Sequence, residues 1–563
     1  MAGIAIGAVL CLSNTYIVLK TGWSLGVTLT SSVVAFGVFR ALGAAGLVKE
    51  RLSVHENVMV GSVGSAAAFM TGGGNMAALP ALLMLTGTRP SGVWLFSWFA
   101  TIAALGVFAA IPIKRRIIDE EKLPFPSSQA TAATLRAMHG DPARAGAAPR
   151  LFKAAGVAAL FVVLRDLRAL PWRLPSQLRL PFTLGGHPLA DWTLSLDASL
   201  VLVGGGAFMT MRTAWSLVLG ALIAYGVVAP ALATAGVIQT VAYKSIVEVT
   251  LWPGAALLVG SGVATLALQW RVVARSFLSL RPAHGGGGPD EAPSWWFAAG
   301  ALALAPVAVA LMVWLFAIPW WAAVLAIPLA LAMGVIAARV TGETDVTPTK
   351  ALGPTTQLLY GLAVPSNVTA NVMSANVTGG VGLHAADLLS DIKVGAILGA
   401  SPRAQVRAQL FGVLVGAAIV APAFALLVPS AAAIGTAELP APAVLVWASV
   451  SKVLAGGLGG LSHVARVGIA AGGAAGVALA VLERALPQRV RAWVPSPSGL
   501  GIAMIMPASS SLAMFLGAAL AAIARRARPN VDERLVPIAS GLVAGESLAG
   551  VTFALLRAAG FSV

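Results

Sequence analysis

The sequence predicts an all-α polytopic membrane protein, with about 14–16 transmembrane helices in two related halves and with broken or re-entrant segments. Three observations predict it. Lys and Arg number 37 and Asp and Glu 21 in 563 residues, so 10% of the chain is charged, against roughly 25% in soluble globular proteins. The hydrophobic fraction is 58% and the mean hydropathy is +0.87. Apolar stretches of span length recur from end to end, cut by glycine, proline and single ionisable residues. This balance excludes a soluble enzyme, a disordered chain and a disulfide-rich secreted module. The single cysteine, Cys11, excludes an intrachain disulfide and a Cys-based metal site. The net charge of +16 lies between apolar blocks, which points to an anionic lipid surface rather than nucleic acid.

In chain order, the candidate spans are Ala2–Leu19, Ser24–Leu42, Val58–Thr71, Ser91–Ile113, Leu196–Met211, Ala214–Thr234, Thr250–Trp270, Trp295–Ile318, Trp320–Ala338, Phe411–Leu427, Ala441–Leu454, Val467–Val481, Leu500–Ala522 and Leu535–Leu556. Shorter or more polar stretches at Asn75–Leu85, Leu151–Leu164, Asn367–Val381 and Asp387–Leu398 are expected to be broken or re-entrant. The first span lacks a basic flank, so no cleavable signal is expected. The chain starts almost inside that span, and an upstream stretch is expected to be missing. Arg-rich turns at Lys114–Arg116, Arg165–Arg179, Arg271–Arg281 and Arg525–Arg528 are expected on the cytoplasmic side.

The polar, Gly-rich stretch 271–293 reads as a linker between a first repeat, 1–270, and a second, 294–563. A shift of 297 residues lays Ser199, Gly204, Met209 and Gly220 on Ser496, Gly501, Met506 and Gly517. Glu56-Asn57-Val58, running to Thr71-Gly72-Gly73, resembles Ser366-Asn367-Val368, running to Thr378-Gly379-Gly380. Duplicated halves with Gly- or Pro-interrupted spans mark secondary transporters, and the interruptions mark the midplane site.

An ionisable side chain within a span costs about 2.5–3.5 kcal/mol on insertion scales, so each needs a reason. In the segment carrying Asn14, Tyr16, Lys20, Gly22 and Trp23, the lysine and Gly22 break the apolar run between the first two spans, either as a broken helix facing an anionic group or as an interfacial turn. Glu56 precedes a run of small residues and is either a proton or cation acceptor or a helix-capping carboxylate. Glu343, Asp345, Thr355 and Gln357 lie in a stretch too polar for a span and too short for a domain, which fits a non-helical cavity lining or an exposed loop. Asn367, Asn371, Ser374 and Thr378 form one polar stripe at helical spacing, suited to amide recognition or to interhelical bonding. Asp387 and Asp391 share a helix face, where packed carboxylates could share a proton or cap an exposed helix start. Glu546 is a lone acid in an apolar run. Walker, HExxH and CxxC patterns do not occur, so neither ATP, a cofactor nor a metal centre is expected.

These motifs resemble the oligopeptide transporter family, which includes yellow-stripe-like metal-chelate carriers. Asn14–Trp23 is similar to the family pattern Asn-x-Tyr-x-Gly-Leu-x-Thr-Gly-Trp, with Val18 at the usual glycine. Glu56-Asn57, Phe125–Ala132 (Ser128 standing for glycine), Gly342–Gln357, the set Asp391, Lys393, Gly395, Gly399 and Pro402, and Ala539–Glu546 follow the family's order. The likeness runs from about residue 8 to 557. It implies a proton-coupled symporter of the plasma membrane importing short peptides, with peptide-like metal chelates as the alternative. On that basis Asn14, Tyr16, Lys20, Gly22, Trp23, Glu343, Asp345, Thr355, Gln357, Asn367, Asn371 and Ser374 are expected to bind substrate. Glu56, Asp387, Asp391 and Glu546 are the proton-coupling candidates. A passive channel and a membrane-embedded enzyme are the rivals from other classes. The enzyme lacks a nucleophile or metal cluster in the spans.

Overall fold

The computed structural model describes residues 2–22, 24, 28–44, 46, 52–72, 74–140, 147–167, 170, 172–271, 274, 290–344, 347, 349–528 and 531–558. The chain is a multi-pass helical membrane protein. Ten helices among the described residues are long and apolar enough to cross a bilayer, and three shorter apolar helices, Thr28–Arg40, Asn75–Thr86 and Pro442–Gly456, accompany them.

The first half runs α1 (Ala2–Thr21), α2 (Thr28–Ala44), α3 (Val54–Phe69), α4 (Asn75–Thr86), α5 (Gly92–Lys114), α6 (Pro126–Gly140), α7 (Ala147–Asp166), α8 (Leu200–Ala207), α9 (Met211–Ala221), α10 (Ala229–Thr234) and α11 (Tyr243–Leu268). The second runs α12 (Trp295–Phe316), α13 (Trp320–Thr344), α14 (Thr349–Ala363), α15 (Val368–Leu398), α16 (Pro402–Leu427), α17 (Pro442–Gly456), α18 (His463–Ala485), α19 (Gln488–Arg491), α20 (Pro497–Ala503), α21 (Ala508–Ala527) and α22 (Asp532–Ala558). Between α7 and α8 the chain forms two small antiparallel pairs, one placing Gln177 opposite Asp197 and the other Thr183 opposite Pro188. Trp192 is buried there, its indole N–H donating to the Leu184 carbonyl at 2.9 Å.

Three expectations need correction. The stretches 367–381 and 387–398 are one continuous 31-residue helix, α15, and not two broken pieces. The polar residues between them are buried against other helices, so hydropathy alone hides the helix. The expected single spans over Leu196–Met211 and Leu500–Ala522 are each interrupted: α8 stops at Ala207 and α20 at Ala503. The first helix is not broken at Lys20. It runs to Thr21 and closes on Gly22, whose φ of 72° is a left-handed conformation that favours glycine.

The two interrupted elements, α8–α9 and α20–α21, pack on each other. Ser199 and Ser496 stand at the N-caps of α8 and α20. A Cβ on Gly517 would overlap the Val203 carbonyl oxygen, and one on Gly220 would overlap the Leu500 carbonyl oxygen. The 297-residue shift converts one pair into the other, because it carries 220 to 517 and 203 to 500. Backbone freed at the second break is satisfied by side chains: Tyr225 Oη donates to the Met506 carbonyl at 2.8 Å and Tyr243 Oη to the Ile505 carbonyl at 2.7 Å. Lipid depth allows irregular backbone only on such terms.

Filling these close approaches forces backbone apart, at about 1–3 kcal/mol for overpacking. Gly517→Ala and Gly220→Ala should therefore each lower the unfolding temperature of the purified protein. Gly205→Ala, where a Cβ meets open space, should leave it unchanged. Equal melting of all three would remove the close packing from the account.

Candidate functional site

The centre of the molecule is built around α15. On its first turns, Asn367 caps the helix by accepting from the Ala370 N–H at 2.8 Å. One turn on, Asn371 Oδ1 accepts from Gln357 Nε2 at 3.0 Å and from Ser451 Oγ at 2.6 Å. Gln357 Nε2 also reaches the Trp447 carbonyl at 3.1 Å. These side chains tie α14, α15 and α17 together, and Ser374 is fully buried a turn beyond. The Trp447 indole lies between two glycines, Gly74 after α3 and Gly353 in α14, neither of which has room for a Cβ. Gly74 also has a φ of 87°. Next along α15, Asn376 accepts from Trp98 Nε1 at 2.8 Å and donates to Asn75 Oδ1 at 2.7 Å. Asn75 Nδ2 in turn donates to the Met70 carbonyl at 2.6 Å, which satisfies backbone where α3 gives way to α4.

A second cluster lies lower on the same helix. Asp387 Oδ1 accepts from Ser65 Oγ at 2.6 Å. Gln409 Nε2 donates to Asp387 Oδ2 at 3.0 Å and to Asp391 Oδ2 at 2.8 Å, so one amide holds both carboxyl groups. Asp387 is 5% exposed and Asp391 1%, and no ion pair reaches either among the described residues. The helix is about 46 Å long at 1.5 Å per residue, longer than the roughly 30 Å hydrocarbon layer. If it is centred on that layer, both carboxyl groups fall within it. Two acids so placed need a proton or a cation to offset their like charges.

The other predicted acids have their charge answered by the protein. Glu546 is 1% exposed. It accepts from Arg165 Nη1 and Ser199 Oγ, both at 3.0 Å, and from the Val201 N–H at 2.7 Å, which makes it a cap for α8 as well as an ion pair. Glu56 is exposed at the start of α3 in a capping box with Ser53. Hydrogen bonds from the Ser53 backbone and hydroxyl hold its carboxyl below the ordinary glutamate value. Glu343 accepts from Arg339 Nε at 3.0 Å, and Arg339 also pairs with Glu121, which Arg116 Nε reaches at 2.9 Å. Glu343 is thus helical and ion-paired, not part of a non-helical cavity lining.

The remaining predicted residues separate into two groups. Asn14 Nδ2 donates to the Ala68 carbonyl and to Thr71 Oγ1, each at 3.1 Å, so α1 is pinned to the end of α3. Asn14 also lines a cavity of about 20 Å³ with Ser13, Thr30 and Ser540. Tyr16 is half-buried near Gly550 of α22, and Lys20 is half-buried in the last turn of α1. Gly22 lies against Pro442, and the Ala441 N–H donates to the Leu19 carbonyl at 2.9 Å, so the end of α1 meets the start of α17. Thr355 is half-buried, with no protein partner for its hydroxyl among the described residues. Trp23 and Asp345 lie outside the described residues. The short helix α17 therefore links the Lys20–Gly22 end to the Gln357–Asn371 network, with Trp447 between them. Sequence reasoning missed Trp447, Ser451, Ser65, Gln405 and Gln409. The last two had a signal, two amides at i and i+4 on the first turns of α16.

The Glu121 pair gives a pH test outside the spans. Burial pushes its carboxyl up, but hydrogen bonds and charge from Arg339 and Arg116 outweigh burial and leave it below the ordinary value of 4.5. A depressed carboxylate contributes stability above its unfolded value and loses it as pH falls through the folded one. Glu121→Gln should lower the melting temperature by a few degrees at neutral pH. Variant and wild type should converge once the medium is acidified below the folded value. A gap that persists in acid would contradict the ion-pair reading.

Among known proteins, the model of the family described as OPT oligopeptide transporter protein matches residues 1–557. A Saccharomyces cerevisiae protein described as "Putative oligopeptide transporter" is 23% identical over 98% of this chain and 94% of its own length. A "Probable metal-nicotianamine transporter" of Oryza sativa subsp. japonica is 26% identical over 97% of this chain and 87% of its own. The iron-phytosiderophore transporter yellow stripe 1 of Zea mays is 24% identical over 97% and 88%.

Proposed function

The chain belongs to the oligopeptide transporter family, whose members are transporters and not enzymes, and from that premise we propose that it is a proton-coupled symporter of the plasma membrane. Its substrate is a small amino-carboxylate molecule, a short peptide or a peptide-like metal chelate. The similarity to the Zea mays and Oryza sativa carriers supports the chelate reading. The family description supports the peptide. Two related halves, 1–270 and 294–563 joined by the linker 271–293, would rock about the central site. The exchanged glycine contacts at 220 and 517 support that arrangement.

The observation that carries the reading is the Asp387–Asp391 pair, held on one Gln409 amide without a basic partner among the described residues. A proton shared between the two carboxyl groups removes one of two like charges. That proton is gained or lost according to which side of the membrane the site faces. Glu546 and Glu56 are already answered by Arg165 and by a capping box, so the pair is the stronger coupling candidate. Substrate is placed along α17. Lys20 would meet a carboxylate end, and Gln357, Asn371 and Ser374 would meet amide groups once Trp447 moves from between Gly74 and Gly353.

Proteoliposomes test this. In Asp387→Asn and Asp391→Asn, uptake driven by an inward proton gradient should fall at least about tenfold, the loss of more than 1.4 kcal/mol of coupling. Exchange of internal for external substrate should persist. Wild-type driven uptake in both variants would overturn the coupling role. Running short peptides against iron and zinc chelates in the same vesicles assigns the substrate.

A further inference from the structure

Ser13 of α1 carries a buried hydroxyl that its own helix does not use. Thr15 and Thr21 of the same helix turn back to the carbonyls of Cys11 and Ile17, at 2.7 and 2.9 Å. Ser13 is 3% exposed, and its Oγ has no hydrogen bond among the described residues. It lines a cavity of about 20 Å³. Thr30 of α2 and Ser540 of α22 line the same cavity, and their hydroxyls lie 3.4 Å apart, long for an O–H···O bond. A hydroxyl offers one donor and two acceptor positions, so both have capacity left. Asn14 completes the polar part of the wall, with its amide nitrogen spent on the Ala68 carbonyl and Thr71 Oγ1 at the end of α3.

The size and chemistry of the cavity select its occupant. One water needs about 10–15 Å³ of such volume and two to four polar partners. The cavity therefore has room for one water and too little for an amino, carboxylate or amide group of a substrate. None of the described residues lining it is ionisable, so neither a bare cation nor an anion would recover its hydration there. The rest of the wall is apolar, with Phe208 at the end of α8 and Val543 of α22. The hydroxyls are what a guest can bond. A buried hydroxyl without a partner destabilises the fold, and a bridging water removes that cost.

We infer that Ser13, Thr30 and Ser540 hold one ordered water, which ties α1, α2 and α22 into a single hydrogen-bonded junction. Ser13 and Thr30 make no hydrogen bond to each other, so the dependence of one on the other passes through that water. The junction backs the turn of α1 that carries Asn14, where the last helix of the chain meets the first two. The inference stands on the cavity and its hydroxyls. It does not depend on the proton-coupling reading of the Asp387–Asp391 pair.

The full-length protein in lipid nanodiscs tests this in two ways. A cryo-EM map of the wild type that resolves ordered waters elsewhere in the core should show density within hydrogen-bond distance of Ser13 Oγ, Thr30 Oγ1 and Ser540 Oγ. Thermal unfolding of Ser13→Ala, Thr30→Val and the double variant gives the energetic readout. With the water in place, each single change removes one of its partners and should lower the melting temperature by about 1–2 °C. The double variant should lose less than the sum of the two shifts, because both act through one water. In a dry cavity, Ser13→Ala only deletes an unpaired hydroxyl. Its melting temperature would then equal or exceed that of the wild type, and the two shifts would add. Either of those results, or a map without density at the site, would overturn the inference.

Discussion

The organising constraint is a polar helix held where lipid would surround it. Helix α15 carries Asn371, Asn376, Thr378, His384, Asp387 and Asp391 through a buried path. At that depth water cannot satisfy a hydrogen bond, so each polar group needs a protein partner or a ligand. Most find one. Asn371 is answered by Gln357 and Ser451, Asn376 by Trp98 and Asn75, and Thr378 by Thr356 at 2.8 Å. The surrounding helices are shaped by that demand. The interruption between α3 and α4 places Asn75 against Asn376, and the short α17 brings Ser451 and the Trp447 carbonyl to Gln357 and Asn371. The Asp387–Asp391 pair stands apart because its partners are neutral. That difference is what the proposed proton coupling rests on.

Packing around this axis explains why glycine is so common. Where α15 meets α5, a Cβ on Gly106 would press on the Val381 carbonyl and on His384 Cβ. Where α16 meets α3, Gly412 and Gly416 lie against the Val63 and Ala67 carbonyls. Helices in lipid gain little from apolar burial against one another, so close approach through small residues supplies the attraction. Trp447 is the large group at the centre, wedged between Gly74 and Gly353.

Much of the fold was legible in the sequence. The apolar runs marked the spans, and the register of Ser199 with Ser496 and of Gly220 with Gly517 marked two similar segments, which only the structure shows packed on each other. A glycine demanded by a neighbouring carbonyl stays visible even when the residues around it differ. The stripe from Asn367 through Asn371 and Ser374 was read as one helix face, yet its continuity with Asp387 and Asp391 was hidden. A buried polar helix has no hydropathy signal. The partners of the lone acids were out of reach for a different reason. Arg165 is far from Glu546 in the chain, and only folding joins them. Gln405 and Gln409 were overlooked because an amide carries no charge, although here it positions two groups that do.

The central claim is that the Asp387–Asp391 pair holds a proton inside the closed core at neutral pH. Infrared difference spectroscopy of the protein in nanodiscs reads this directly, through the C=O stretch of a protonated buried carboxyl group. The account predicts such a band at neutral pH, shifted when substrate is added and absent from the Asp387→Asn/Asp391→Asn double variant. Carboxylate bands alone in the wild type, or an acid band that survives in the double variant, would contradict it.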